Sequence, residues 1–182
     1  MRAVRAPLLA GIALALAGCG AAPVLETMTP PSHGARDSSE ATPRPVGRKA
    51  EWDEKVCLAL NQLGEATQDI TEMREAAEAG NVDRVGLMAY AAGGFAITAQ
   101  TALGQAPNWG PSRRALRELT AVTDDLVAGL DLIDIATQEG DEAKLTQGSE
   151  LVGQAARGLS RVTPDLAQLV RRHDLSCVLP NP

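Results

Sequence analysis

Histidine is almost missing from this chain: His33 and His173 are the only two in 182 residues. A metal or haem in a helical core needs inward ligands such as Glu-x-x-His pairs, a Cys-x-x-Cys-His run or an axial histidine. None of these patterns occurs, and a zinc site from Cys57, His173 and Cys177 would want a fourth ligand. Nucleophilic catalysis asks for a base beside a Ser, Thr or Cys. Neither Gly-x-Ser-x-Gly nor a phosphate-binding loop is present. Paired acids such as Asp124-Asp125, or Asp131 with Asp134, read as a solvated helix face. No enzymatic activity, no cofactor and no metal is therefore expected.

Aromatic residues are equally scarce, 2% of the chain: Trp52, Trp109, Tyr90 and Phe95. A core must then come from Leu, Val, Ile and much Ala, a composition that favours closely packed helices. Excess basic charge is also lacking. The net charge is −6, and without Arg2 and Arg5 only 15 basic residues face 23 acidic ones. Nucleic acid, whose phosphates need a basic patch, is not an expected partner.

No apolar run reaches the roughly 20 residues that cross a bilayer. Pro7 to Leu16 form an apolar stretch of about ten residues behind Arg2 and Arg5, the layout of a signal peptide. Leu16-Ala17-Gly18-Cys19 follows, and these four residues resemble the lipobox of bacterial lipoproteins. The resemblance covers residues 1–20. It implies that Cys19 receives a diacylglycerol on its thiol, that the signal is cut before it, and that the protein is held at the membrane by lipid. Two or three acyl chains anchor stably where one binds marginally, at about 0.8 kcal/mol per buried CH₂. Gly20, rather than Asp, gives no reason for inner-membrane retention in a cell with two membranes.

Cysteine is as sparse, with three residues. With Cys19 assigned to lipid, Cys57 and Cys177 remain. Outside the cytoplasm the two can oxidise, so a Cys57–Cys177 disulfide is expected, two buried free thiols being the alternative.

From Gly20 to about Arg48 come five prolines, scattered Ser and Thr, and no apolar periodicity. This reads as a disordered tether of roughly 30 Å average span, with His33 solvated. Periodicity begins beyond it. Helix 1 is predicted over about 50–79 (Trp52, Val56, Leu60, Leu63, Thr67, Ile70, Met73 and Ala77 inward), helix 2 over about 82–103, helix 3 over about 112–138, and helix 4 after Gly140-Asp141. Thr163-Pro164-Asp165 gives an N-cap, a first-turn proline and an acid, so helix 4 is expected to break or kink there. A shift of 60 residues places Gly80 on Gly140 and Asn81 on Asp141, which suggests two similar hairpins. The expected fold is all-α: an up-and-down antiparallel four-helix bundle. The chain divides into a signal (1–18), a lipidated cysteine with its tether (19–48) and the helical domain (49–182).

Two surfaces qualify as sites. Small residues of helix 2 (Ala91, Ala92, Gly93, Ala96, Ala99) and helix 4 (Gly148, Gly153, Ala155, Ala156, Gly158) either let helices approach closely or line a groove for an apolar ligand. At the tethered pole, Trp109, Arg113, Arg114 and Arg117 gather with Arg48, Lys49, Trp52, Arg171 and Arg172, while the far pole carries Glu75, Glu78, Asp83, Glu139, Asp141 and Glu142. Arg113, Arg114 and Arg117 oppose the dipole of helix 3, which points to use by anionic headgroups or an acidic partner. The plainer alternative pairs these arginines with acids such as Glu51 and Asp53 and turns Trp52 inward. The functional expectation is a membrane-anchored, extracytoplasmic, non-catalytic module of the cell envelope with a protein partner; a small-molecule or lipid-binding bundle is the second reading.

Overall fold

The computed structural model describes residues 47–177; the signal, Cys19 and the tether up to residue 46 lie outside it. Within it four helices follow one another: α1 (Arg48–Glu78), α2 (Val82–Gln105), α3 (Arg113–Glu139) and α4 (Glu142–His173), with a 3₁₀ turn at Gly110–Ser112 ahead of α3. α1 packs along α2, α2 along α3 and α3 along α4; α1 and α4 approach each other less closely. This is an all-α four-helix bundle.

The two hairpin turns are built alike. Gly80 and Gly140 take the left-handed conformation, with φ of 75° and 73°, which costs a residue with a Cβ about 1–2 kcal/mol. Beyond each glycine an amide reaches back to a carbonyl, Asn81 N to Ala76 O and Asp141 N to Ala136 O. The same two residues then cap the next helix: Asn81 Oδ1 accepts from Arg84 N, and Asp141 Oδ1 from Ala143 N and Lys144 N. Each cap satisfies an amide that the first turn leaves without a partner.

The core is aliphatic, with Leu60, Leu63, Met73, Leu119, Leu130 and Ile133 at its centre and alanines filling the α2 side. Thr67, expected inward, is exposed and bonds its hydroxyl to Leu63 O, while Ala66 takes the buried position. Glycines let helices touch. A Cβ on Gly148 would stand 2.7 Å from Gly129 O, and one on Gly129 would stand 2.9 Å from Gly148 O and Val152 N. Gly158 faces Val122, and Gly86 faces Thr137, with no room for a methyl.

The break expected at Pro164 does not occur: α4 runs unbroken from Glu142 to His173 with Pro164 inside it. Proline removes one amide and crowds the carbonyl four residues back, here that of Ser160. Both residues are exposed, so water can take the freed carbonyl. On the other side Val162 and Leu166 stay buried and hold the two halves of the helix against the core. The helix stops ten residues on, at Asp174, whose φ is 50°.

Candidate functional site

The pole at which α1 begins and α4 ends is assembled by contacts rather than by charge alone. Cys57 in α1 and Cys177 beyond α4 form a disulfide with Cα atoms 4.7 Å apart. Beside it Asp53 accepts from Ser176 N at 3.1 Å and Ser176 Oγ at 2.7 Å. The ligand atoms of Asp53, Cys57 and Cys177 lie within 4.8 Å of one another. The two sulfurs are bonded to each other, however, and one carboxylate remains, so this is no metal-binding set. His173 does not join it: its ring meets Trp109 edge-on at 4.8 Å, and Trp109 in turn packs on Trp52 at 5.2 Å.

That stack decides between the two readings of the tryptophans. Trp52 is 1% exposed and belongs to the core; Trp109 is half-buried over it. What the pole offers outward is mainly charge. Arg113, Arg114 and Arg117 are all exposed. Arg113 Nε donates to Asn108 Oδ1 at 2.9 Å, and Arg114 pairs with Glu118 at 2.8 Å. Among the described residues Arg117 has no ion pair, and none of the three arginines reaches Glu51 or Asp53.

The groove envisaged between helices 2 and 4 is not formed. These helices do not pack along each other. The small residues of both face other neighbours: Ala92, Ala96 and Ala99 are fully buried, Gly148 meets Gly129, and Gly158 meets Val122. The reason is the order of packing, in which α3 stands between α2 and α4.

An open groove of about 830 Å³ lies instead on the outer face between α2 and α3. It escapes a reading that looks only for the buried stripe, because α2 is apolar on both sides. Its inward side is lined by alanines. Its outward side carries Leu87, Tyr90 and Ile97, which are 61%, 72% and 52% exposed. From Val85 to Gln105 the helix has no charged residue, whereas a solvated outer face ordinarily carries several. That gap in charge, with large apolar residues at three- and seven-residue steps, is the signal that the sequence contained. The α3 side of the groove supplies Asp124, Asp131 and Asp134.

One group in α1 is held at a cost. Asp69 has a buried, unbonded Oδ2, and its pKa is raised, first by desolvation and then by the nearby Glu72 and Glu65. A carboxyl whose folded pKa exceeds its unfolded value weakens the fold when ionised; the penalty grows as pH rises through the folded value and is absent below the unfolded one. Asp69→Asn is accordingly expected to raise the thermal midpoint at pH 7, and the gain over the parent should vanish in acid. Equal gains in thermal scans at both pH values would show that charge is not its cause.

No known protein family, curated protein or solved structure matches this chain. The functional reading therefore stands on the residues themselves.

Proposed function

We propose that the protein is a membrane-anchored, extracytoplasmic lipoprotein, held by lipid on Cys19, whose bundle is a non-catalytic binding module of the bacterial cell envelope. The anchor rests on the sequence: Arg2 and Arg5, the short apolar run, and Leu16-Ala17-Gly18-Cys19 occur in the order the class requires. The binding role is carried by one observation, the uncharged outer face of α2 with Leu87, Tyr90 and Ile97 in water. Contiguous exposed apolar side chains are costly to leave solvated and mark surfaces that become covered. An outer face suits a protein partner better than a ligand enclosed between helices. Arg113, Arg114 and Arg117, at the pole where the tether enters, would meet anionic headgroups, each worth about 1 kcal/mol near such a surface.

A photo-reactive phenylalanine analogue placed at Tyr90, in intact cells, tests the reading. The expected result is one discrete protein adduct that is missing when the analogue replaces the exposed Glu150 on α4 and is lost with Cys19→Ala. Indistinguishable adducts from the two positions would remove the α2 face as the binding surface. A Cys19→Ala protein that still fractionates with membranes would remove the lipid anchor.

A further inference from the structure

The chemistry of the groove narrows what can fill it, given the reading above that the bundle binds a protein. We propose that its occupant is an amphipathic helix of the partner, three to four turns long, with an apolar stripe flanked by Lys or Arg.

Four observations carry this. The first is charge. The residues lining the groove include three carboxylates, Asp124, Asp131 and Asp134, and no Lys or Arg. Among the described residues none of the three forms an ion pair. Asp124 is met by the neutral Gln100 amide at 2.8 Å, and Asp134 by that of Gln138 at 2.9 Å. The second is the apolar wall of Tyr90 and Ile97 that stands across from this acidic rim. An occupant must bring an apolar face and positive charge together, on the same side.

The third is the floor. Gly93 and Gly94 sit in the middle of α2, where glycine is a much poorer helix former than Ala. Gly86, Gly129, Gly148 and Gly158 are explained by helices that a methyl would push apart. Gly93 and Gly94 are not: a Cβ at Gly94 would meet nothing within 4 Å, and one at Gly93 only the Leu130 Cβ at 4.0 Å. Interior packing thus leaves the missing side chains unexplained, while a second backbone seated on the outside would use them to come close. The fourth is shape. From Ala89 to Gln100 the groove follows α2 for about 17 Å at 1.5 Å per residue, some three helical turns. Both its walls are helices whose backbone groups are bonded internally, so there is no strand edge for an extended peptide to join, and helix-in-groove docking is the mode that remains.

A second copy of this chain is a poor occupant. A two-fold contact through this face would bring the three carboxylates of each copy into one interface with no Lys or Arg from either groove to pair them, and such unpaired like charge opposes binding.

The test uses the whole chain from residue 19 with Cys19→Ser, which needs no detergent, and two fluorescent 18-residue amphipathic peptides. They share a Leu/Ala stripe and differ only in Lys or Glu beside it. By anisotropy the Lys peptide should bind at least about tenfold more tightly than its Glu twin, and weaken as salt is raised. The triple variant Asp124→Lys, Asp131→Lys, Asp134→Lys should reverse the preference. Gly94→Leu should abolish binding of both peptides while the circular dichroism stays helical. Equal binding of the two peptides, or an unchanged preference in the triple variant, overturns the proposal; so does a dimer in sedimentation that Tyr90→Ser dissolves. A specific adduct at Tyr90 in cells, combined with no charge preference here, would keep the binding module and reject the basic helix. Loss of the cellular adduct as well would reject both.

Discussion

Removing the Cys57–Cys177 bond, by reductant or by the double change Cys57→Ser and Cys177→Ser, is expected to cost about 4 kcal/mol of stability. The bond closes a loop with a sequence separation of 120 residues, and the chain entropy it withholds from the unfolded state grows with loop length. It also joins α1 to the segment just beyond α4, and these two helices do not pack along each other as successive helices do. Packing along that side does less to replace it than it would between α3 and α4. For a domain of this size the loss corresponds to a fall of about 10–15 °C in the thermal midpoint. Calorimetry of the oxidised, reduced and double-variant proteins measures it. A shift below about 3 °C would mean that Trp52, Trp109 and the Asp53–Ser176 bonds hold the pole closed by themselves. Because the cost lies mainly in the unfolded state, refolding should slow more than unfolding accelerates where the pole is already closed in the transition state.

The same substitution at two mid-helix glycines should act with opposite sign. Gly148→Ala places a methyl 2.7 Å from Gly129 O and 2.9 Å from Ile133 Cγ1. One obstacle is backbone, which cannot rotate away, so α3 and α4 must separate. Overpacking of this kind costs about 1–3 kcal/mol. The better helix propensity of Ala returns about 1 kcal/mol, and a net loss of about 1 kcal/mol, rising to about 2 at the top of that range, is expected. Gly94→Ala has open space around it and should gain close to 1 kcal/mol from propensity alone. Urea denaturation of the two variants decides the matter. A neutral Gly148→Ala would contradict the close approach of α3 and α4, and a destabilising Gly94→Ala would contradict the open floor of the groove. A variant at Gly94 that is more stable yet binds its partner less well is the expected trade between fold and function at that position.

The fold was legible where one physical term dominates. Leu, Val and Ile at three- and four-residue steps in α1, α3 and α4 mark the buried side, and Gly80-Asn81 and Gly140-Asp141 mark the turns, because only glycine takes that backbone cheaply. The disulfide followed from counting cysteines. Legibility failed where a neighbour decides. Pro164 is a sound stop signal in isolation; its tolerance depends on facing water, which the periodicity around it implies only once Val162 and Leu166 are known to be held. The small residues of α2 and α4 are real packing devices, but which helix they face depends on the order of packing around the bundle. The outer face of α2 was hidden by size. Three of its large apolar side chains, Leu87, Tyr90 and Ile97, point to water, while alanines fill most of its buried side, the reverse of what burial by bulk would suggest.

The disulfide also changes how the domain carries tension. Residues 57–177 form a covalent ring, and among the described residues only 47–56 lie upstream of it. A pull entering at Gly47 can draw out that segment alone, ~35 Å of fully extended chain, before the load divides at Cys57. One branch runs on through α1 and the other crosses to the tail beyond α4. Beyond Cys57 neither α1 nor α4 can then be peeled off turn by turn, because slack in one branch is taken up by the other. To give way, the bundle must shear α1 from α2 and α4 from α3 together.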